Sequence, residues 1–256
     1  MPTHRSGTGD PVRTLELLWR APGAGVNQRG PRQTLSVDRV VAAAIGVADA
    51  EGVEAVTMRR IAQALGVAPM SLYTYVPGKA ELLDLMIDTV CGQMTHSQPP
   101  DGSWRARLTA IADDNRALHE RHPWLITVST ARPPLGPGVI EKYDRELAAL
   151  DGLGLADVEM DAALTFLLGF VESTARAAAA ARTSQQDSTL DEQQWWEASA
   201  PLLERVFDAE RYPTAARVGA AAGAAYEAAA DPEHAYAFGL GRLLDGLGVL
   251  IDSRAG

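Results

Sequence analysis

Three features of the 256-residue chain predict an all-α protein. Apolar residues recur at helical spacing in many segments, and few segments alternate Val, Ile, Thr and aromatic residues as strands do. Alanine is abundant. Clusters of Pro and Gly, such as Pro99-Pro100-Asp101-Gly102, mark the breaks between the periodic segments. The length fits one large domain or two modest ones with a sizeable core.

The cysteine content and the apolar runs limit the class of protein. Cys91 is the only cysteine, which excludes an intramolecular disulfide and a thiolate metal cage. No apolar run reaches the roughly 20 residues of a membrane span. The first residues lack the apolar core of a signal peptide. We therefore expect a soluble cytoplasmic protein with no membrane contact, no cofactor and no metal site.

Acidic residues are unevenly distributed along the chain. Residues 1–95 hold nine basic and nine acidic side chains, and the remainder holds 14 and 24, which accounts for the net charge of −10. Between Thr57 and Lys79 there are three basic residues, including these ends, and no acid. An acidic surface repels a polyanion, so any contact with nucleic acid should be confined to the N-terminal part.

Residues 1–35 are rich in Pro, Gly, Arg and Thr, with one apolar island at residues 15–19. This composition predicts a flexible, mostly disordered arm with a single helical turn at the island. Arg29 and Arg32 precede the first firm helix. Two interpretations remain open, namely an arm that reaches DNA and a solvated tail.

The segment 36–95 is predicted to begin with a helix over residues 37–50. Ser36 is a suitable N-cap, and Gly52 ends the helix. One face of this helix is apolar and consists of Val37, Val40, Val41, Ala44, Ile45 and Ala48. A later helix over residues 80–94 is apolar over a wide arc, which is typical of a helix shared by two bundles.

Between these helices, the residues predict a helix-turn-helix. Thr57 can cap a second helix, and Gly66 can adopt the positive φ that a tight helix exit needs. Pro69 suits the first turn of a third helix, and Pro77-Gly78 ends it. Two short helices around a glycine turn, with hydroxyl groups on the second, form this motif.

Residues 36–87 resemble the DNA-binding domain of the TetR family of bacterial repressors. The resemblance rests on AEGVEAVTMRRIAQALGV followed by SLYTYVPGKAELL. The matching positions are Thr57, Gly66, Val67, Leu72, Tyr73, Tyr75 and Lys79. The stretches HPWLITVSTARPPLGPGVI and FGLGRLLDGLGVLI are similar to the tetracycline-repressor-like C-terminal domain, and this second match is looser.

The resemblance implies that residues 36–95 bind a palindromic double-stranded DNA operator. It assigns this role to Thr57, Arg59, Pro69, Met70, Ser71, Tyr73, Tyr75 and Lys79. Arg59 would reach a base edge or a phosphate, and the residues from Pro69 to Ser71 would meet base edges. Both tyrosines and Lys79 would hold phosphates. The alternative for Tyr73, and less so for the more exposed Tyr75, is a packing role.

Residues 96–256 are predicted to form a helical bundle for effector binding and dimerisation. Six helices are expected. A short one begins at residue 123, and the others span about residues 103–120, 139–150, 157–182, 193–208 and 233–251. Residues 212–230 are left unassigned. The long helix contains ALTFLLGFV, which is apolar all round and so needs a partner surface on every side. The resemblance implies that this helix and the last one form a four-helix interface in a homodimer.

A small-molecule effector pocket is expected among the aromatic and apolar residues of this bundle. The candidates are Trp104, Leu108, His119, Trp124, Tyr143, Phe166, Phe170, Glu172 and Trp195. Core packing remains the alternative for each of these residues. Glu172 could instead pair with Arg176 four residues on. His119 enters the set because the resemblance allows a histidine in the pocket.

Two other classes of protein are less consistent with the residues. Tyr75 and Lys79 have the Y-x-x-x-K spacing of short-chain dehydrogenases, but Pro77-Gly78 would break the helix that this chemistry needs. The glycine-rich loop of such enzymes is also missing. A helical sensor whose helix-turn-helix binds protein is the other alternative, and the basic, acid-free segment argues against it. The prediction is a homodimeric, ligand-responsive transcriptional repressor.

Overall fold

The computed structural model describes residues 4–21, 35–99, 102–130, 132–187, 192–226 and 231–255. Within these ranges it is helical almost throughout, and the prediction of an all-α fold is confirmed. The helices are α1 (Pro11–Leu18), α2 (Val37–Glu51), α3 (Met58–Leu65), α4 (Pro69–Leu72), α5 (Lys79–Gly92), α6 (Trp104–Arg121), α7 (Pro137–Leu147), α8 (Asp157–Asp187), α9 (Glu192–Val206), α10 (Pro213–Tyr226) and α11 (Pro232–Ala255).

Two 3-10 turns and one small sheet complete the described structure. The 3-10 turns span Val53–Ala55 and Pro123–Thr127. The strands β1 (His4–Arg5) and β2 (Val128–Ser129) pair in parallel, with His4 opposite Val128. In the described part of the chain, no helix combines the length and the apolar character that crossing a membrane requires.

Helices α2 to α5 form an N-terminal unit around one core. Ser36 caps α2 by accepting a hydrogen bond from the Arg39 backbone N–H at 3.2 Å. Five of the six residues predicted for the inner face of α2 are buried, and the sixth, Ile45, is partly buried. Leu72 and Val76 lie beneath them with no exposed surface, so α4 is held against the core by its inner side.

Helices α6, α8 and α11 form the centre of a C-terminal unit. Its core contains Leu108, Leu164, Leu167, Val171 and Leu244, all buried. The N-terminal core is continuous with the near end of this unit because Leu118, Trp124, Leu125 and Val128 belong to it. The two units therefore share packed side chains and are not joined by a linker alone.

Helix α5 is the main connection between the units, and α7 is the helix that it contacts most extensively. Its three acids, Glu81, Asp84 and Asp88, are all buried. Asp88 Oδ1 accepts a hydrogen bond from the Val139 N–H at 2.9 Å, which satisfies a free donor at the start of α7. Burial raises the pKa of Asp88, and this hydrogen bond opposes the rise.

Residues 4–21 differ from the prediction of a disordered arm. They form β1 and α1, and α1 is a two-turn helix that begins before the expected island and packs on α5. The segment is ordered because Thr14 and Leu18 are buried and because its backbone N–H groups donate to the acids of α5. The predicted contacts of Arg29 and Arg32 lie outside the described residues.

Candidate DNA-binding surface and effector-binding region

The turn between α3 and α4 is built by two local devices. Thr57 Oγ1 accepts a hydrogen bond from the Arg60 N–H at 3.1 Å and so caps α3. Gly66 adopts φ 67° and ψ 34°, the left-handed conformation. The Val67 N–H then reaches the Ala62 carbonyl at 3.0 Å, and the Gly66 N–H reaches that of Gln63 at 3.3 Å. These two bonds define a Schellman motif, which redirects the chain into α4.

Helix α4 presents a short outward face. Its first helical position is Pro69, and the Tyr75 and Val76 N–H groups both donate to the Leu72 carbonyl at 2.9 Å, which prolongs the helical path. Met70 is 75% exposed and Tyr73 is 43% exposed. Pro69, Ser71 and Thr74 are exposed as well. The predicted base-contacting residues thus share one surface.

Thr74 was missed by the sequence reasoning. It lies in the turn that follows α4, four residues after Met70, the spacing at which side chains share one side where a helical path continues. Its hydroxyl is exposed and can donate or accept a hydrogen bond. The signal in the sequence was this i,i+4 relation to a residue already assigned to the surface.

Tyr75 and Lys79 lie further inside than the sequence predicted. Tyr75 is partly buried and packs against the N-terminal core. The Lys79 ammonium donates to the Val53 carbonyl at 3.3 Å, and desolvation lowers its pKa, with the nearby Glu54 acting in the opposite direction. The Lys79 side chain therefore connects the start of α5 to the 3-10 turn at Val53–Ala55.

The two arginines of α3 differ in their surroundings. The Arg60 guanidinium holds Glu51 through Nε, at 3.1 and 3.2 Å from its two carboxylate oxygens, and through Nη2 at 2.5 Å. These hydrogen bonds raise the pKa of Arg60 and lower that of Glu51. Arg59 is exposed and has no ion-pair partner in the part of the chain that the structure describes. The positive charge available to a phosphate at this surface is therefore mainly that of Arg59.

The nine residues predicted for an effector pocket do not meet in one cavity. Trp124 is buried, and its Nε1–H donates to Asp49 of α2 at 2.8 Å, so it joins the two units. Phe166 is 64% exposed and Trp195 is 46% exposed. Tyr143 is exposed and donates to Asp161 at 2.7 Å. The presence of an aromatic residue in the sequence does not show whether its side chain faces the core or the solvent.

The remaining candidates lie on or beside the C-terminal core. Leu108 is fully buried, and Trp104 is half-buried with the Arg105 guanidinium 5.1 Å from its ring centre. Phe170 stacks on Tyr236 with ring centres 5.8 Å apart. Glu172 accepts from Arg176 at 2.5 Å, which is the ion pair that was considered as the alternative to a ligand contact.

A polar cluster inside the C-terminal unit was not predicted. Glu146 is 2% exposed, and its carboxylate accepts from Asn115 Nδ2 at 2.6 Å and from Lys142 Nζ at 2.7 Å. His119 follows Asn115 by one helical turn on α6. Its Nδ1 is buried without a hydrogen-bond partner among the described residues, and desolvation lowers its pKa. The i,i+4 spacing of Lys142 and Glu146 was the available signal, whereas the contact of Asn115 with Glu146 joins two helices and leaves no local signal.

Several openings lie on the described surface of the C-terminal unit and its junction with α5, among them a small one beside His119 and one of about 460 Å³ between α9 and α10. One cavity of about 180 Å³ is lined by residues that include Met94, His96, Arg107, Ile111 and Glu146. A second, of about 170 Å³, lies on the other side of Met94 against α6. A groove of about 960 Å³ runs between α8 and α11. No cluster of three potential metal ligands occurs within the described ranges.

Two family profiles match the chain, and together they span most of it. Residues 40–86 match the profile described as bacterial regulatory proteins, tetR family. Residues 96–251 match the profile described as tetracyclin repressor-like, C-terminal domain. The second match alone covers more than half of the chain.

The chain is also similar to individual proteins over nearly its whole length. It is 43% identical to the HTH-type transcriptional repressor DrrR1 of Streptomyces coeruleorubidus, over 99% of this chain and 92% of that protein. The similarity to the class E tetracycline repressor protein of Escherichia coli is 26% identity over 86% and 94% of the two chains. The crystal structure of Streptomyces coelicolor ActR in complex with actinorhodin has a TM-score of 0.70 at 27% identity, covering 85% and 99%.

Proposed function

The chain belongs to the TetR family and is a ligand-responsive transcriptional regulator, and from this premise we propose that it is a repressor with three specific properties. It binds a palindromic operator. It does so as a homodimer. A small-molecule effector that binds the C-terminal unit releases it from DNA.

Operator binding is supported chiefly by the outward face of α4. Leu72 and Val76 anchor the helix from below, so the exposed residues are held on a rigid element. A recognition helix places its N-terminal residues at the base edges, which assigns base contacts to Met70 and Ser71. Met70 suits the methyl group of thymine, and Ser71 suits a hydrogen bond.

Phosphate contacts then come from the residues around this face. Arg59 offers a cation without an ion-pair partner among the described residues, and the Tyr73 side chain is exposed next to the proposed base-contacting residues. Thr57 is exposed, but its side-chain oxygen is already used as the α3 cap. Tyr75 and Lys79 act mainly by holding the motif together, and Lys79 has further N–H groups that a phosphate can use.

The groove between α8 and α11 supports the homodimer. Phe166 and Phe170 line it from α8, and Leu243 and Leu247 line it from α11. Phe238 and Val249 on α11 are 58% and 72% exposed. A soluble protein seldom leaves a contiguous apolar face of this kind in water, and a second copy of the same face would cover it.

An effector is best accommodated where α5, α6 and α7 meet. The cavity there combines apolar side chains such as Met94 and Ile111 with several polar and charged ones such as Glu146, and these could orient a ligand. Met94 lies two residues beyond the end of α5, so a ligand bound there would displace α5 and the recognition helix with it. The neighbouring ActR is solved with actinorhodin, which supports a small organic ligand for this chain.

Selection of a palindrome from random DNA, followed by electrophoretic shift with competitor DNA, tests this function. Ser71→Ala should relax the preference at one position in each half-site, and Arg59→Gln should weaken binding to all sequences alike. A protein that selects no palindrome and retards no fragment would favour the sensor whose helix-turn-helix binds protein.

A further inference from the structure

Residues 4–21, hereafter the strap, contact both units of the protein. The strap begins at β1, continues through a turn at Gly7 to α1, and ends beyond Trp19. It precedes both units in the chain, so nothing in the connectivity requires it to touch either. Its contacts therefore need an explanation of their own.

The strap holds the C-terminal unit through hydrogen bonds to backbone carbonyls of that unit. β1 pairs with β2, and the Ser6 N–H donates to the Ser129 carbonyl at 3.0 Å. The Ser6 hydroxyl donates to the Arg132 carbonyl at 2.5 Å. The Trp19 indole N–H donates to the Leu135 carbonyl at 2.8 Å, just before α7. These contacts fasten both ends of the strap to the loop that joins β2 to α7.

The strap holds the N-terminal unit chiefly through α5. The Gly7 N–H donates to Asp84 Oδ1 at 3.0 Å, and the Asp10 N–H donates to Glu81 Oε1 at 3.3 Å. Leu18 is 4% exposed in the N-terminal core, and Arg20 forms an ion pair with Asp38 of α2. Buried carboxylates need hydrogen-bond donors, so the strap satisfies two groups that would otherwise be costly inside the protein.

We propose that the strap is a positioning element for operator binding, which limits the rotation of α5 and of the recognition helix relative to the C-terminal unit. This inference rests on the proposed function. The two recognition helices of a dimer must meet successive major grooves together. A detached strap lets each helix sample orientations that do not fit, which lowers operator affinity by about 5-fold to 30-fold, within the usual range for coupling between sites.

Glycine substitutions can detach the strap without altering the DNA-binding surface. Gly7 has φ 64°, and a Cβ there would lie 2.7 Å from the Arg132 Cβ. A Cβ at Gly9 would lie 2.6 Å from Glu81 Oε1. The double variant Gly7→Ala/Gly9→Ala should therefore displace the turn from both units. Thr8→Ala is the matched control, because Thr8 lies between them and is exposed, and within the described ranges its hydroxyl bonds only to the nearby Arg5 carbonyl.

A second variant that lacks residues 2–10 removes β1 and the turn outright. Hydrogen exchange of residues 4–21 and 128–135 in the full-length protein reports whether the strap is attached. Operator titration gives the affinity, binding to random DNA gives the non-specific part, and sedimentation gives the assembly state. Exchange should rise in the double variant and remain unchanged in Thr8→Ala.

We expect both strap variants to bind the operator more weakly. Their binding to random DNA and their dimer formation should remain unchanged. Unchanged or tighter operator binding by the variant lacking residues 2–10 would overturn the positioning role, and so would loss of the dimer. The wild-type protein separates this failure from that of the proposed function. If the wild-type protein selects no operator, the proposed function is wrong. If the strap variants bind the operator normally, only the proposed positioning role of the strap is refuted.

Discussion

Substitution of two adjacent residues on α8 should separate dimer formation from folding. Phe166 is 64% exposed and lines the groove between α8 and α11, while Leu167 is fully buried in the C-terminal core. Both residues belong to the apolar stretch ALTFLLGFV. An arginine at Leu167 would enter the protomer core. Phe166→Arg is the variant that should split the dimer.

The expected magnitude follows from the area that Phe166 leaves in water. A phenylalanine buries about 200 Å² when fully covered, so its 64% exposure leaves about 130 Å² for a partner. At about 25 cal/mol per Å², covering this area is worth about 3 kcal/mol for each copy. Two-fold symmetry counts the residue twice, but association costs absorb part of the gain. We expect the dimer dissociation constant to rise by about 100-fold or more.

Sedimentation at several protein concentrations measures this change, and thermal unfolding of the same samples measures stability. Ile140→Arg is the control, since Ile140 is 42% exposed on α7 and lies outside the groove. Leu167→Arg should lower the unfolding temperature strongly, because it buries a charge. A Phe166→Arg protein that remains a dimer at the lowest concentrations would refute the assignment of the interface.

Four further outcomes are expected. Arg59→Gln should reduce the salt slope of DNA binding by about two units, about one for each copy in the dimer, without loss of stability. Lys79→Gln should also lower the unfolding temperature, because the bond to the Val53 carbonyl is lost. Burial raises the pKa of the Asp84 carboxyl above its ordinary value of 3.8. The folded state therefore binds this proton more tightly than the unfolded state does. The free energy of unfolding should fall as the pH rises above 3.8. Asp84→Asn should remove that fall in urea titrations between about pH 4 and about pH 7. Burial also raises the pKa of Cys91 to about 11, so a thiol reagent should modify it only in denaturant. An effector found by screening should quench tryptophan fluorescence and bind about 5-fold to 150-fold more weakly when operator is present, and equal binding would exclude allosteric release.

The helix-turn-helix could be derived from the sequence because its signals are local. The Thr57 cap, the left-handed Gly66 and the Pro69 start each act within a few residues, and each occurs in the structure as expected. The inward positions of Leu72 and Val76 follow from the same spacing. The long and last helices were likewise predicted within a few residues of their bounds, since helical periodicity is a property of the segment itself.

Only the tertiary structure decided which partner each side chain meets. Tyr75 packs inward and Lys79 bonds to Val53, and neither contact follows from helical spacing because the partners belong to other elements. The same holds for His4, which pairs with Val128 across the chain and turns an expected disordered arm into a strap. The stretch ALTFLLGFV within α8 is apolar on every side, so its periodicity does not determine which residues face the core. The packing of α8 against α6 and α11 buries Leu167 and leaves Phe166 exposed, because neighbouring residues of a helix point in different directions.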